Sequence, residues 1–143
     1  MKRHVKLCLR TRFVRLLLSF FLFSFFTSAR AQTVSGTVTD ESGKSLVGVS
    51  VAVKGASSGT TTDAQGRYRL ETVVPGLYPG RTRHIHVKVQ APNGPVLTTQ
   101  LYFAGEARNA GDGIFRQELL MQDHGQSGGT RQTGFTFVVA TGA

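Results

Sequence analysis

Tyr78-Pro79-Gly80-Arg81-Thr82-Arg83-His84-Ile85-His86 gathers a phenol, guanidinium groups and two imidazoles within nine residues. In an extended strand successive side chains point to opposite faces, so His84 and His86 share one face and Ile85 takes the other. Two imidazoles side by side on a strand make half of a metal site. Tyr78, upstream across a Pro-Gly turn, can return its phenol oxygen to the same ion. A hard anionic oxygen with two nitrogens favours an iron-type ion over a thiolate-loving one. Cys8, the one cysteine, lies far from this segment and does not compete for the role.

The elements that must position these groups read as strands and turns. Val34 to Val38 opens a short strand. Val49, Val51 and Val53 alternate with Ser50, Ala52 and Lys54, and Tyr68 and Leu70 alternate with Arg67, Arg69 and Glu71. Ile85, Val87 and Val89 continue the scheme opposite the histidines. Leu97 to Phe103 supplies a further strand and Phe135 to Val139 a last one, with Gly and Pro in every gap. Only Gln117 to Gln122 suggests a helical turn, and Gly125 to Gly129 reads as a flexible loop. The fold class is therefore all-β, a single β-sandwich domain.

Gly36-Thr37-Val38-Thr39-Asp40-Glu41-Ser42-Gly43-Lys44 is echoed in outline by Gly59-Thr60-Thr61-Thr62-Asp63-Ala64-Gln65-Gly66-Arg67. Each ends in Thr-Asp-x-x-Gly followed by a basic residue. Asp bonds nearby backbone amides and Gly tolerates positive φ, so both read as hairpin turns.

The N-terminus has a different character. Lys2, Arg3, Lys6, Arg10, Arg12 and Arg15 precede or enter an apolar run from Leu16 to Phe26, and Ala29-Arg30-Ala31 places small residues where a leader is cut. Residues 1–31 are read as a signal peptide, leaving 32–143 as the mature domain, exported to the periplasm or beyond the cell. The leader holds seven of the seventeen Lys and Arg and none of the eight Asp and Glu. The formal charge of +9 therefore belongs mostly to the leader, and no nucleic-acid partner follows from it. After cleavage no apolar run is long enough to span a membrane. A cysteine-free exported domain has packing or a bound metal to stabilise it. No carboxylate pair, serine-nucleophile signature or phosphate loop is present.

Two stretches resemble known families. Val34 to roughly Leu70, through Val34-Ser35-Gly36-Thr37-Val38-Thr39-Asp40, Gly48-Val49-Ser50-Val51-Ala52-Val53-Lys54-Gly55 and Gly59 to Asp63, resembles the carboxypeptidase regulatory-like β-sandwich found ahead of TonB-dependent receptors. Thr62 to Ala140 resembles the C-terminal half of intradiol ring-cleavage dioxygenases. That likeness runs through Thr62 to Arg69, Thr72-Val73-Val74-Pro75-Gly76-Leu77-Tyr78-Pro79, Arg81 to His86 and Leu97-Thr98-Thr99-Gln100-Leu101-Tyr102-Phe103. The second resemblance implies a non-haem ferric iron held by tyrosinates and histidines, with Tyr78, His84 and His86 in the positions of a tyrosine ligand and the histidine pair. It implies that Arg81 lines the substrate site and that Gln100 lies near the iron. It also implies a small aromatic diol and dioxygen as reactants, with the ring opened between its hydroxylated carbons. Oligomerisation is left open.

The chain departs from that family at one place. The family's first ligand tyrosine lies between the early strand and the Thr-Asp-x-x-Gly turn, and here Val53 reaches Thr60 through Lys54-Gly55-Ala56-Ser57-Ser58-Gly59 alone. Tyr68 and Tyr102 both fit strand patterns as core residues, which leaves three protein ligands and an open pocket suited to a bulky phenol. His124, and Glu106, Arg108, Asn109 and Asp112 after the strand Leu97 to Phe103, read as solvated loop residues, the last four in a loop of the kind that can border a substrate mouth. The competing readings are a non-catalytic β-sandwich module of the cell envelope, and a hybrid joined at the shared Thr-Asp turn.

Overall fold

The computed structural model of the chain describes residues 30–142. The leader lies outside these residues except for Arg30 and Ala31. The strands, in chain order, are β1 (Ala31–Thr39), β2 (Ser50–Val53), β3 (Gly59–Thr61), β4 (Arg67–Val73), β5 (His84–Gln90), β6 (Val96–Tyr102), β7 (Gln122–Ser127), β8 (Thr130–Gly134) and β9 (Phe137–Val138). They form two sheets. One runs β4-β1-β8-β7 with β9 beside the end of β1, and the other runs β3-β2-β5-β6. The all-β sandwich read from the alternating valines is the fold.

Alternation puts one face of most strands between the sheets, while β7 is exposed along its whole length. Val34 and Val38 of β1, Val51 of β2, Tyr68 and Leu70 of β4, Ile85, Val87 and Val89 of β5, Leu101 of β6 and Phe137 of β9 fill the interior with Phe103, Met121 and Val139. Tyr68 is in the core, as its spacing with Leu70 predicted. Its ring tilts against Phe137 and its hydroxyl donates to the Phe135 carbonyl at 2.8 Å. Burial pushes this phenol well above its ordinary range, so it stays protonated.

Both Thr-Asp turns have the same construction. Asp40 Oδ1 accepts from the amides of Ser42 (2.9 Å) and Lys44 (3.0 Å), and Asp63 Oδ1 accepts from those of Gln65 and Arg67, each at 2.9 Å. The first closes a small hairpin, with Thr39 bridged to Ser45. The second links β3 of one sheet to β4 of the other, so it is a corner between the layers and not a hairpin within one. Thr62, buried at that corner, donates its hydroxyl to Leu46 O (2.6 Å) and accepts from Val49 N (2.9 Å).

Two expectations change. Gly125 to Gly129 is not a loose loop. β7 continues through Gly125 to Ser127 with an irregularity between Asp123 and Gln126, and only Gly128 and Gly129 turn the chain into β8. Both have positive φ, which matches the two-residue hairpin turn that follows strand twist. The expected strand from Phe135 to Val139 is divided from β8 and shortened to Phe137–Val138: Phe135 N still donates to Ser35 O at 2.9 Å, but its carbonyl accepts from the Tyr68 hydroxyl, and the ladder to β1 resumes at Phe137. The predicted helical turn is a single 3-10 turn over Gln117–Leu119.

Gly36 makes the division possible. A Cβ at this position would overlap the backbone carbonyl of Phe135, the group that Tyr68 anchors. Gly36→Ala is expected to cost about 3 kcal/mol, the upper range for overpacking against an immovable neighbour. Urea unfolding checks this, and a loss below about 0.5 kcal/mol would show that the connector yields freely.

Candidate functional site

Strand β5 carries two faces with different tasks. Its odd residues enter the core, and His84 and His86 stand on the outer face with their ring centroids 4.9 Å apart, edge to face. The antiparallel register sets His84 opposite Tyr102 and His86 opposite Gln100. Gln100 and Tyr102 therefore share the histidine face. Tyr102 is buried, as its spacing predicted, but it does not join the core between the sheets. Its ring lies between His84 (6.1 Å) and Phe115 (4.9 Å), and its hydroxyl donates to Ile114 O at 2.8 Å. Burial, reinforced by the Asp112 charge, pushes this phenol above its usual range.

Tyr78 arrives by the Pro-Gly turn. Arg81 N donates to Tyr78 O at 3.3 Å and Gly80 has φ of 71°, the arrangement of a type II turn with Pro at its second position. The turn brings the Tyr78 ring to 6.1 Å from His84 while leaving it 59% exposed. An open cleft of about 450 Å³ is bounded by Val53, Lys54, Val73, Tyr78, Arg81 and His86, among others. On its near side the chain turns sharply from β2 to β3, with Val53 N donating to Ser58 O at 3.0 Å. No tyrosine stands on this short connection.

His84 is almost fully buried, and its Nδ1 lies 2.8 Å from Thr82 O. A carbonyl can only accept, so Nδ1 carries the proton and Nε2 keeps its lone pair. His86 is exposed at its rim, and partial desolvation followed by the neighbouring His84 lowers its pKa. A neutral imidazole is the form that binds a metal.

Arg81 is clamped. Its Nε donates to Asp112 Oδ2 and its Nη2 to Gln100 Oε1, both at 2.9 Å. Asp112 also accepts from Thr82 N (2.9 Å) and Ile114 N (3.1 Å). The loop residues expected to be solvated are thus divided. Asp112 is buried, with its side chain 2% exposed, and Asn109 accepts from the Thr82 hydroxyl (2.6 Å) and donates to Phe103 O (3.0 Å). Glu106 pairs with Arg83 at 2.8 Å, while Arg108 stays exposed. This loop braces the site because each acceptor meets a donor that the strand cannot satisfy in its ladder. Sequence reasoning missed Asp112 and Asn109, whose partners lie some thirty residues upstream. His124 is exposed as expected, on β7 and not in a loop.

Among the described residues no three His, Cys, Asp or Glu side chains gather to hold a metal, so the donor set around His84 and His86 needs the Tyr78 oxygen. Two imidazoles and one phenol oxygen on a cleft wall suit a hard trivalent ion with open positions. A larger cleft of about 650 Å³ lies beside it, sharing Pro75 and lined by the Arg83–Glu106 and Arg131–Asp123 ion pairs but by no histidine. No helix of the described residues is long and apolar enough to cross a membrane.

Arg81 holds Asp112 at a pKa of about 2, chiefly by hydrogen bonding, with the Thr82 amide next. A depressed carboxylate pKa stabilises the fold above the ordinary value near 4 and loses that contribution as pH falls from about 4 towards 2. The Arg81 Nε–H resonance, which follows the folded-state titration of Asp112, is therefore expected to hold its position down to about pH 3 and to move with a midpoint near pH 2. In Asp112→Asn that acid transition should be gone. An unchanged transition in the variant would assign it to another group.

Comparison with known proteins adds a second line of observation. Residues 33–101 match the carboxypeptidase regulatory-like domain. The chain is similar to the dioxygenase domain of a dioxygenase carbohydrate-binding protein fusion from the cellulolytic bacterium Streptomyces sp. SirexAA-E, at 44% identity, covering 83% of this chain and 85% of that one with a TM-score of 0.71. It is 43% identical over 63 residues to the protocatechuate 3,4-dioxygenase beta chain of Burkholderia cepacia, which spans 38% of this chain and 27% of that protein. It is 49% identical over 47 residues to TonB-dependent receptor P3 of Formosa agariphila, 32% of this chain and 5% of the receptor.

Proposed function

Because this chain belongs to the intradiol ring-cleavage dioxygenase family, we propose that it opens the ring of a catechol-type diol with dioxygen, using a ferric ion held by Tyr78, His84 and His86. The observation that carries the reading is that Tyr78, His84 and His86 line one cleft, with the His84 ring 4.9 Å from that of His86 and 6.1 Å from that of Tyr78, while His84 Nδ1 is committed to the Thr82 carbonyl. In the overall reaction the bond between the two hydroxylated carbons breaks and both oxygen atoms of dioxygen enter the diacid product.

A bound ferric ion supplies Lewis acidity that favours anionic phenol oxygens over their protonated forms. The protein's own groups do the rest. Val53, Val73 and Pro75 offer apolar wall to a flat ring. Arg81, fixed by Asp112 and Gln100, holds a positive charge at the cleft without having to reorganise, and so stabilises negative oxygens where they develop. Gln100 has its carbonyl oxygen engaged by Arg81, which leaves its amide N–H groups as donors on the histidine face. The exposure of Tyr78 and the short β2–β3 turn support a bulky phenol as the diol's carrier. Export of the protein belongs to the same reading and rests on the leader-like sequence of residues 1–31.

A second reading, a non-catalytic β-sandwich module of the cell envelope, draws on the match over residues 33–101 and the likeness to a receptor segment. The two separate on one experiment. Purified protein reconstituted with ferric iron is expected to show a phenolate-to-iron absorption band that shifts when catechol is added and gives a ring-opened diacid under air. A colourless protein would favour the module. His84→Ala is expected to abolish iron uptake, and retained iron would sink the proposed site. Tyr78→Phe should remove the colour and leave the fold intact, since this side chain has little burial to lose.

A further inference from the structure

Asp112 and Asn109 belong to no motif of the site, yet both end on one residue of it. Thr82 is fully buried and held at three points: Asp112 Oδ2 takes its amide, Asn109 Oδ1 takes its hydroxyl, and its carbonyl takes the His84 Nδ1–H. Asp112 is the one carboxylate among the buried side chains of the described residues. Burial of that charge is tolerated because three N–H groups meet it, two at Oδ2 from Arg81 and Thr82 and one at Oδ1 from Ile114. With its amide and hydroxyl both fastened, the Cα of Thr82 is anchored, and a single ψ rotation separates that anchor from the carbonyl that meets the imidazole.

We propose that Asp112 is a positioning residue that, by anchoring Thr82, holds His84 in the tautomer whose Nε2 can bind the metal. This rests on the reading of His84 as a ligand. The same carboxylate fixes Arg81, so one buried charge aligns both the ligand and the cation beside it. Removing a partner of this kind typically lowers metal affinity by about 10–100-fold even though it never touches the ion.

Asp112→Asn is the informative change, because it preserves shape but turns an NH₂ towards N–H donors whichever way the amide lies. Metal-free, ¹⁵N-labelled full chain is examined by long-range ¹H–¹⁵N NMR for the His84 tautomer, and ferric iron affinity is measured by competition with a chelator. The wild type is expected to show one tautomer with the proton on Nδ1. Asp112→Asn is expected to populate both tautomers and to bind ferric iron about 10–100-fold more weakly. Asn109→Ala, which disturbs no buried charge, gives a smaller change in the same direction and serves where Asp112→Asn does not fold. An unmoved tautomer in a folded variant overturns the proposal, even if iron binding weakens, since that would be a general structural effect. A wild type that takes up no ferric iron while the variant's tautomer still shifts keeps the positioning role and removes the iron reading.

Discussion

The pleat of β5 is the constraint on which the rest depends. Ile85, Val87 and Val89 are committed to the core, and a strand has only two faces, so His84 and His86 have no choice of side. The antiparallel register with β6 extends that decision to Gln100 and Tyr102. A slip of one residue would send the imidazoles into the hydrocarbon interior and the valines into water. Packing therefore enforces the arrangement of the outer-face groups, although none of those groups contributes to the core between the sheets. The chemistry of the cleft is a by-product of core geometry, and its precision follows from the strand's rigidity.

What could be read in the sequence divides along the range of the interactions. The alternating valines, the shared face of His84 and His86, and the Pro-Gly turn before Arg81 depend on neighbours within a few residues, and each appears in the fold as its pattern indicates. The place of Tyr102 required the register between β5 and β6, which alternation does not specify. Asp112 and Asn109 looked like solvated loop residues because their composition is that of a solvated loop. Their partners, Arg81 and Thr82, lie across a gap in sequence that no local pattern bridges. The Ser127-Gly128-Gly129-Thr130 hairpin was the opposite case, since the signal of a two-residue turn was present and only the surrounding polarity obscured it.

The carboxypeptidase regulatory-like match covers residues 33–101 and the dioxygenase likeness runs through the same stretch, so the two describe one sandwich and not successive domains. The corner at Thr62-Asp63 shows why the same residues satisfy both. A turn that carries its own acceptor, Asp63 Oδ1, and a buried threonine that ties Leu46 to Val49, is a self-contained device for passing the chain between sheets. It asks nothing of the outer face, so that face is free to bear histidines or none.

The donors of the cleft differ in stiffness. His84 and His86 stand on a strand paired to β6 along its whole length and to β2 from His86 onward, whereas Tyr78 sits at an exposed turn whose side chain buries little. Two teeth of the clasp are cast in the frame and the third swings. Capturing anything between them must therefore draw its ordering entropy almost wholly from residues 76–80. Hydrogen exchange at that turn, and not in the sheet, is where occupancy of the cleft would be felt.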